Sequence, residues 1–310
     1  KGHAKVGNGE WIVAEVDESD GTFLLFDPIM SVITNIDLDH MDFYHSEENL
    51  INSFKKFANR IPFYGVCAIN GEDERLCSIL SEMKRPYLTF GFNEKFDFCA
   101  SNITYKHGKA MFDLLLRGKK VACIKLNLPG DHNILNALGA ISIAHSLEIG
   151  FDQISKSIQK FDGVGRRFQN IYANKEFQII DDYAHHPTAI AATINAARKI
   201  APEKELIVLF EPHRYSRTKD CWDRFLHCFN NGDKLFLLDV YPASEKPISG
   251  ITSERLKEDI NKLHPSFANT LKSDDDIIGL INQFKEQNTI ILTLGAGTIS
   301  SRMKEIVGLI

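Results

Sequence analysis

Asp181-Asp182-Tyr183-Ala184-His185-His186-Pro187 opens the stretch on which the fold turns, and Glu211-Pro212-His213-Arg214-Tyr215-Ser216-Arg217 closes it. Between them lie an Ala-rich run to Arg198 and an apolar run, Leu206 to Phe210. The apolar residues Phe177 to Ile180 end at the two aspartates, and Pro187-Thr188 suits a helix start, where proline's missing N–H costs nothing. The order is strand, loop, helix, strand, loop, with both polar clusters at C-terminal strand ends, the edge of an open parallel sheet where ligands bind. Two carboxylates, two histidines and two arginines facing one crevice suit an anionic substrate held near a nucleotide. The same residues admit a plainer reading, with Asp182 as a helix cap, His185 and His186 as a solvated first turn, and Arg214 and Arg217 as surface charges.

Downstream, strands at Phe177 to Asp181, Leu206 to Phe210, Lys234 to Leu238 and Thr289 to Leu294 alternate with helices near Thr188 to Lys199, Thr218 to Phe229, Ser253 to Leu263, Asp275 to Phe284 and Ser300 to Val307. That alternation predicts a doubly wound α/β domain. Leu294-Gly295-Ala296-Gly297-Thr298 reads as strand, glycine turn and helix, which would bring backbone N–H groups to an anion.

Upstream, Phe161-Asp162-Gly163-Val164-Gly165-Arg166-Arg167-Phe168 reads as a hinge whose arginines reach a phosphate or merely form a basic linker. It follows a helix, Phe151 to Lys160. A sharp turn, Leu126 to Asn133, precedes a long helix, Ile134 to Ile149, on which Asn133 and Asn136 share a face. An asparagine amide matches adenine's N7 and N6 edge, though capping competes as its role. Phe96 to Val121 reads as a β-meander with turns at His107-Gly108 and Arg117-Gly118, and Glu47 to Ala58 as a helix. Phe63 to Ile69 reads as a strand, with a second helix running to about Met83.

Near the start, Trp11 to Val16 reads as a buried strand containing Glu15, an expensive place for an acid unless it is paired or bound to a cation. Ser31 to Ile36 reads as another strand, ending in Asp37-Leu38-Asp39-His40-Met41-Asp42. Such an oxygen-rich strand end suits magnesium completed by phosphates and waters, with a structural histidine and a helix N-cap as the alternatives.

Composition narrows the classes. The 310 residues are 44% apolar and 25% charged, which excludes disorder and predicts roughly two domains. A net charge of −5 gives no footprint for nucleic acid. No apolar run approaches the roughly 20 residues of a membrane helix and no secretion signal is present, so a soluble, cytoplasmic chain is expected. The six cysteines form no C-x-x-C pair, which argues against a zinc ribbon. Adjacent His185 and His186 argue against a zinc hydrolase.

Six ordered segments carry a resemblance: Ala14 to Asp20, Asn35 to Asp42, Gly130 to Ala137, Gly163 to Phe168, Asp181 to Pro187 and Pro212 to Thr218. In order and spacing they resemble the Mur ligases of peptidoglycan synthesis. The resemblance implies a central ATP-binding domain (residues 1–168, a parallel sheet plus a small meander) followed by a Rossmann-like C-terminal domain (169–310). It implies an acyl phosphate made with ATP and then attacked by an amine. Pro212-His213-Arg214-Tyr215-Ser216-Arg217-Thr218 favours the branch that joins L-alanine to UDP-N-acetylmuramate over the tripeptide-recycling branch. Carried over, Glu15 and His40 hold Mg2+, Asn133 and Asn136 meet adenine, Arg167 the nucleotide and Asp182 its ribose. His185, Arg214 and Arg217 orient the reacting carboxylates. A non-catalytic binding module on the same fold is the alternative.

No G-x-x-x-x-G-K-[ST] phosphate loop occurs in these residues, and the family's UDP-binding domain has no counterpart here. A fragment is therefore expected. Incubated alone with ATP, magnesium, UDP-N-acetylmuramate and L-alanine, the 310-residue chain is expected to release no phosphate above background. Amino-acid-dependent release would overturn that expectation.

Overall fold

The computed structural model describes residues 4–106 and 108–309. Twelve strands run through the described residues: β1 Met30–Ile33, β2 Val66–Asn70, β3 Tyr87–Gly91, β4 Phe98–Lys106, β5 Lys109–Leu116, β6 Lys119–Leu126, β7 Gln169–Ala173, β8 Phe177–Asp182, β9 Glu205–Phe210, β10 Lys234–Leu237, β11 Ala268–Thr270 and β12 Thr289–Leu294. They form two six-stranded sheets, ordered β1-β2-β3-β4-β5-β6 and β11-β10-β9-β12-β8-β7.

In the first sheet β1 to β4 are parallel and β5 and β6 antiparallel, so the expected meander continues the parallel sheet. Its turn at Arg117-Gly118 falls between β5 and β6, while the one expected at His107 lies outside the described residues. One face buries Phe90, Phe98 and Phe112 against Ile134, Leu138 and Ile141 of the helix Asp131–Ser146. The other buries Ile33 and Ile69 against Leu50 and Phe57 of the helix Glu47–Ala58 and Leu76 of the helix Glu74–Ile79.

In the second sheet β8 to β12 are parallel, and β7 pairs antiparallel with β8. The central strands read as unbroken apolar runs because both faces are covered. Val208, Phe210, Leu292 and Leu294 face a core shared with Ile190 and Ile194 of the helix Pro187–Ile200. Ile207, Leu209 and Ile291 face the opposite core, with Ile277 and Ile281 of Asp274–Phe284 and Met303 of Ile299–Val307. From β8 the chain passes to β9, β10 and β11, then returns to insert β12 between β9 and β8. This reversal puts the C-terminal ends of β8, β9 and β12 side by side.

Three sequence expectations change. Trp11–Val16 is not a strand: Trp11, Ile12 and Val13 are exposed, and among the described residues β1 pairs only with β2, so this run has no backbone partner. Glu15 is therefore exposed, and the burial argument for it as a cation ligand fails. The strand expected over Phe63 to Ile69 begins at Val66, with Phe63 and Tyr64 exposed. β3, β7 and β11 were not anticipated. β7 and β11 are short edge strands whose one-sided burial leaves little apolar signal.

Phe210 is fully buried between the rings of Phe225 and Phe229, at centroid distances of 5.5 and 5.4 Å. Phe210→Ala is expected to destabilise the chain by about 3–5 kcal/mol, read as a lower denaturant midpoint.

Candidate active site

The loop after β1 meets the loops after β8 and β9 in a crevice between the two sheets. At its inner wall the Asp37 carboxylate takes His186 Nδ1 at 3.0 Å and an Arg224 guanidinium nitrogen at 3.0 Å. The same Arg224 nitrogen donates to Thr188 Oγ1 at 2.5 Å. Burial works to lower the His186 pKa, but the hydrogen bond and charge of Asp37 raise it to about 9. Burial likewise works to raise Asp37, and the bonds from His186 and Thr188 with the Arg224 charge bring it well below its ordinary value. Both groups are charged at neutral pH.

Arg217 stands next to this pair. Its guanidinium donates to Asp39 at 3.4 Å and to His213 Nδ1 at 3.4 Å, both long, and its buried Nε has no partner among the described residues. Its side chain is only 10% exposed. A nearly buried guanidinium with weak contacts and an orphaned N–H has capacity for a stronger acceptor. Nearby, His185 Nδ1 lies 2.9 Å from the Tyr183 carbonyl. Burial, aided by Arg217 and His213, lowers the His185 pKa to about 4, so the ring is neutral. A carbonyl only accepts, so Nδ1 carries the proton and Nε2 keeps its lone pair. Arg214 is exposed and sits at φ +69°, a rare value for a side-chain-bearing residue, with its N–H held by the Tyr241 carbonyl at 2.8 Å. The structure thus brings His185 and Arg217 into one crevice and leaves Arg214 on its exposed side.

Two family models match the chain: the Mur ligase middle domain over residues 4–144, and the Mur ligase, glutamate ligase domain, over 166–297. A UDP-N-acetylmuramate–L-alanine ligase of Desulfotalea psychrophila is 38% identical over 309 residues, covering 100% of this chain and 67% of that protein. This chain belongs to the Mur ligase family. The ligase of the same name from Trichlorobacter lovleyi is 39% identical over 298 residues, 96% of this chain and 65% of that protein. The chain thus spans about two-thirds of the length of such relatives. Among solved structures, UDP-N-acetylmuramate–alanine ligase from Thermotoga maritima superposes with a TM-score of 0.76 at 25% identity, covering 94% of this chain and 62% of that one. MurF from the same organism, solved in complex with ADP, has a TM-score of 0.69 at 18% identity, covering 91% and 61%, and shows the fold alone.

The remaining candidates in this Mur ligase chain are placed as follows. Asp182 is buried, and its oxygens accept the Phe168 and Ala184 backbone N–H groups at 2.7 and 2.8 Å. It therefore fastens the end of the linker to β8, a role that does not exhaust the lone pairs of a carboxylate. Asn133 donates to the Pro129 carbonyl at 2.7 Å, as a turn-holding residue does, while Asn136 is exposed. Arg167 is exposed beside Tyr183, its guanidinium 5.5 Å from the ring centre. Arg166 is committed elsewhere, donating to the Gly295 carbonyl at 2.6 Å. The supposed hinge is pinned at this end.

His40 is partly buried with Nε2 3.7 Å from Asp39. Among the described residues no three His, Cys, Asp or Glu groups converge as a cation cage. The reading of the strand-end aspartates as cation ligands is corrected for Asp37 and Asp39, which pair with arginines of the second sheet. Of the two residues that the resemblance assigns to Mg2+, His40 is partly buried and Glu15 exposed, and two side-chain donors would suit only a cation whose shell is mostly phosphate and water.

The glycine turn after β12 is also reassigned. Its helix N-terminus is taken by the chain's own Glu211, whose carboxylate accepts Thr298 Oγ1 at 2.8 Å and the Ile299 N–H at 3.0 Å. A Cβ on Gly297 would fall 2.3 Å from that carboxylate and 2.7 Å from the Tyr241 ring, so a larger residue there would displace one or both. Sequence reading also missed Arg224 and Lys199. Lys199 pairs with Asp131 across the sheets at 2.5 Å, and neither Arg224 nor Lys199 belonged to a recognisable motif.

His186 is raised from its ordinary 6.5, so its share of the bridge to Asp37 is complete below pH 6.5 and lost as pH rises through about 9. Asp37 is lowered, so its share is complete above its ordinary 3.8 and lost on acidification. Thermal unfolding is expected to show stability falling between pH 6.5 and 9, and His186→Gln is expected to flatten that limb. An unchanged pH profile in the variant would show that the bridge carries no stability.

Proposed function

We propose that the chain is the ATP- and acceptor-binding part of a ligase that joins L-alanine to UDP-N-acetylmuramate in peptidoglycan synthesis, through an acyl phosphate on the muramyl carboxylate. The observation that carries this reading is Arg217, a nearly buried guanidinium with an orphaned donor, set where both sheets meet. The named L-alanine ligases at 38 and 39% identity support the choice of amino acid.

In this reading residues 1–168 hold the nucleotide and 169–310 the substrates. Arg217 and Arg214 neutralise the carboxylates that must approach each other, because bringing two anions together costs most in a water-poor site. His185 is neutral, with Nδ1–H on the Tyr183 carbonyl and a lone pair on Nε2, so it can orient a substrate group by accepting a hydrogen bond, while its lowered pKa makes it a weak base. Asn133, through the amide oxygen that the Pro129 contact leaves free, and Asn136 face adenine. Arg167 contacts the nucleotide and Asp182 its ribose. Glu15 and His40 would hold magnesium, which supplies charge neutralisation at the phosphates.

Two readings compete within the same fold, a tripeptide-recycling ligase and a non-catalytic binding module. Phosphate release by the parental-length protein with ATP, magnesium and UDP-N-acetylmuramate separates them. Dependence on L-alanine supports the proposal, dependence on a tripeptide replaces it with the recycling ligase, and no release favours the module. In an active protein Arg214→Ala is expected to cut kcat/KM by roughly 10²-fold or more, with circular dichroism unchanged. Unaltered turnover would mark Arg214 as a surface residue.

A further inference from the structure

The loop that carries Arg214 and Arg217 does not hold itself. The helix Tyr215–Asp220 has six residues, and the residue before it, Arg214, provides no side-chain cap. Its first turn is capped from another loop: Glu245, eight residues beyond the end of the strand Lys234–Leu237, accepts the Ser216 N–H at 2.9 Å and the Ser216 hydroxyl at 2.6 Å. The turn that delivers Glu245 has Ala243 and Ser244 at φ +46° and +70°, with Glu245 N–H bonded to the Pro242 carbonyl at 2.9 Å. Two left-handed non-glycine residues in succession persist only where surrounding contacts over-determine them.

The two loops are stitched along their length. The Arg214 N–H donates to the Tyr241 carbonyl and the Tyr241 N–H to the Pro212 carbonyl, each at 2.8 Å. The Tyr241 ring lies flat on His213, at 5.4 Å and 14°. Among the described residues, Glu245 is the side chain outside this loop that hydrogen-bonds the turn between the two arginines. Burial works to raise its carboxyl, but the Ser216 bonds lower it below the ordinary range, so it stays ionised against the helix N-terminus.

We infer that Glu245 is a positioning residue for the proposed ligation, fixing through Ser216 the directions in which Arg214 and Arg217 meet the substrate carboxylates. This rests on the ligase reading above. It assigns Glu245 no contact with substrate: its effect passes through the helix start. Misplacing charge-clamping groups by about 1 Å costs on the order of 10²-fold in rate.

The test has two arms. In the parental-length protein Glu245→Ala is expected to lose roughly 10²-fold in kcat/KM, with the loss in kcat and in KM for the carboxylate substrates and not in KM for ATP. Glu245→Gln is expected to recover most of it, because its amide oxygen still accepts the Ser216 N–H and its NH2 can donate to the hydroxyl. Turnover of Glu245→Ala within about twofold of the unaltered protein overturns the inference, and so does an equal loss in both variants, since a shared geometry is what the glutamine preserves.

The second arm needs no activity. Hydrogen exchange in the 310-residue chain is expected to speed up across Ser216 to Cys221 in Glu245→Ala and to stay slow in Glu245→Gln. Unchanged exchange in the alanine variant overturns the inference on its own. If the unaltered protein shows no turnover, the ligase reading fails, and the exchange arm alone decides whether Glu245 holds the loop.

Discussion

The Asp37 carboxylate is the constraint on which the arrangement of this Mur ligase chain depends. It leaves β1 of the first sheet and is met by His186 and Arg224 of the second. A half-buried carboxylate is costly unless charged partners and hydrogen bonds surround it. Here those partners come from a different sheet, so satisfying Asp37 also sets one sheet against the other. Asp39 with Arg217, and Asp131 with Lys199, repeat the logic at two further points. The backbone follows: a Cβ on Gly130, at φ +95°, would lie 2.9 Å from Ala196 of the facing helix, so the two halves approach closely there.

The crevice that results is not electrically uniform. His186 is held charged by Asp37, while its neighbour in sequence, His185, is held neutral by burial and by the nearby Arg217 charge. Adjacent residues thus take opposite protonation states, because the chain points one ring toward a carboxylate of the first sheet and the other toward Arg217 and His213. Charge for binding anions is left to the arginines, and Arg217 has no side-chain contact shorter than 3.4 Å, whereas Arg166 and Arg224 each hold a partner within 2.6 Å.

Much of the fold was legible in sequence. The helices Glu47–Ala58 and Ser253–Leu263 and the strand β12 lie where the sequence pattern put them, because each pattern is local; in the structure Ser46 and Thr252 cap the two helices, and β12 is buried on both faces. Trp11–Val16 failed for the complementary reason. Its apolar residues were read correctly, but a strand is defined by a backbone partner that composition does not reveal. The glycine turn after β12 failed likewise, since nothing local shows that Glu211, far off in sequence, supplies the anion.

By itself the sequence determined the alternation of strands and helices, membership in the Mur ligase family, and the clusters at the ends of β8 and β9, since these follow from short-range pattern and residue type. Tertiary structure alone decided the partnerships. Asp37 and Asp39 looked like cation ligands and are ion-paired with arginines nearly two hundred residues away, and Arg166 looked like a phosphate ligand and holds the Gly295 carbonyl. Charge and hydrogen bonding act over a few ångströms, and the distance between two side chains is a property of the folded sheets, not of their separation along the chain.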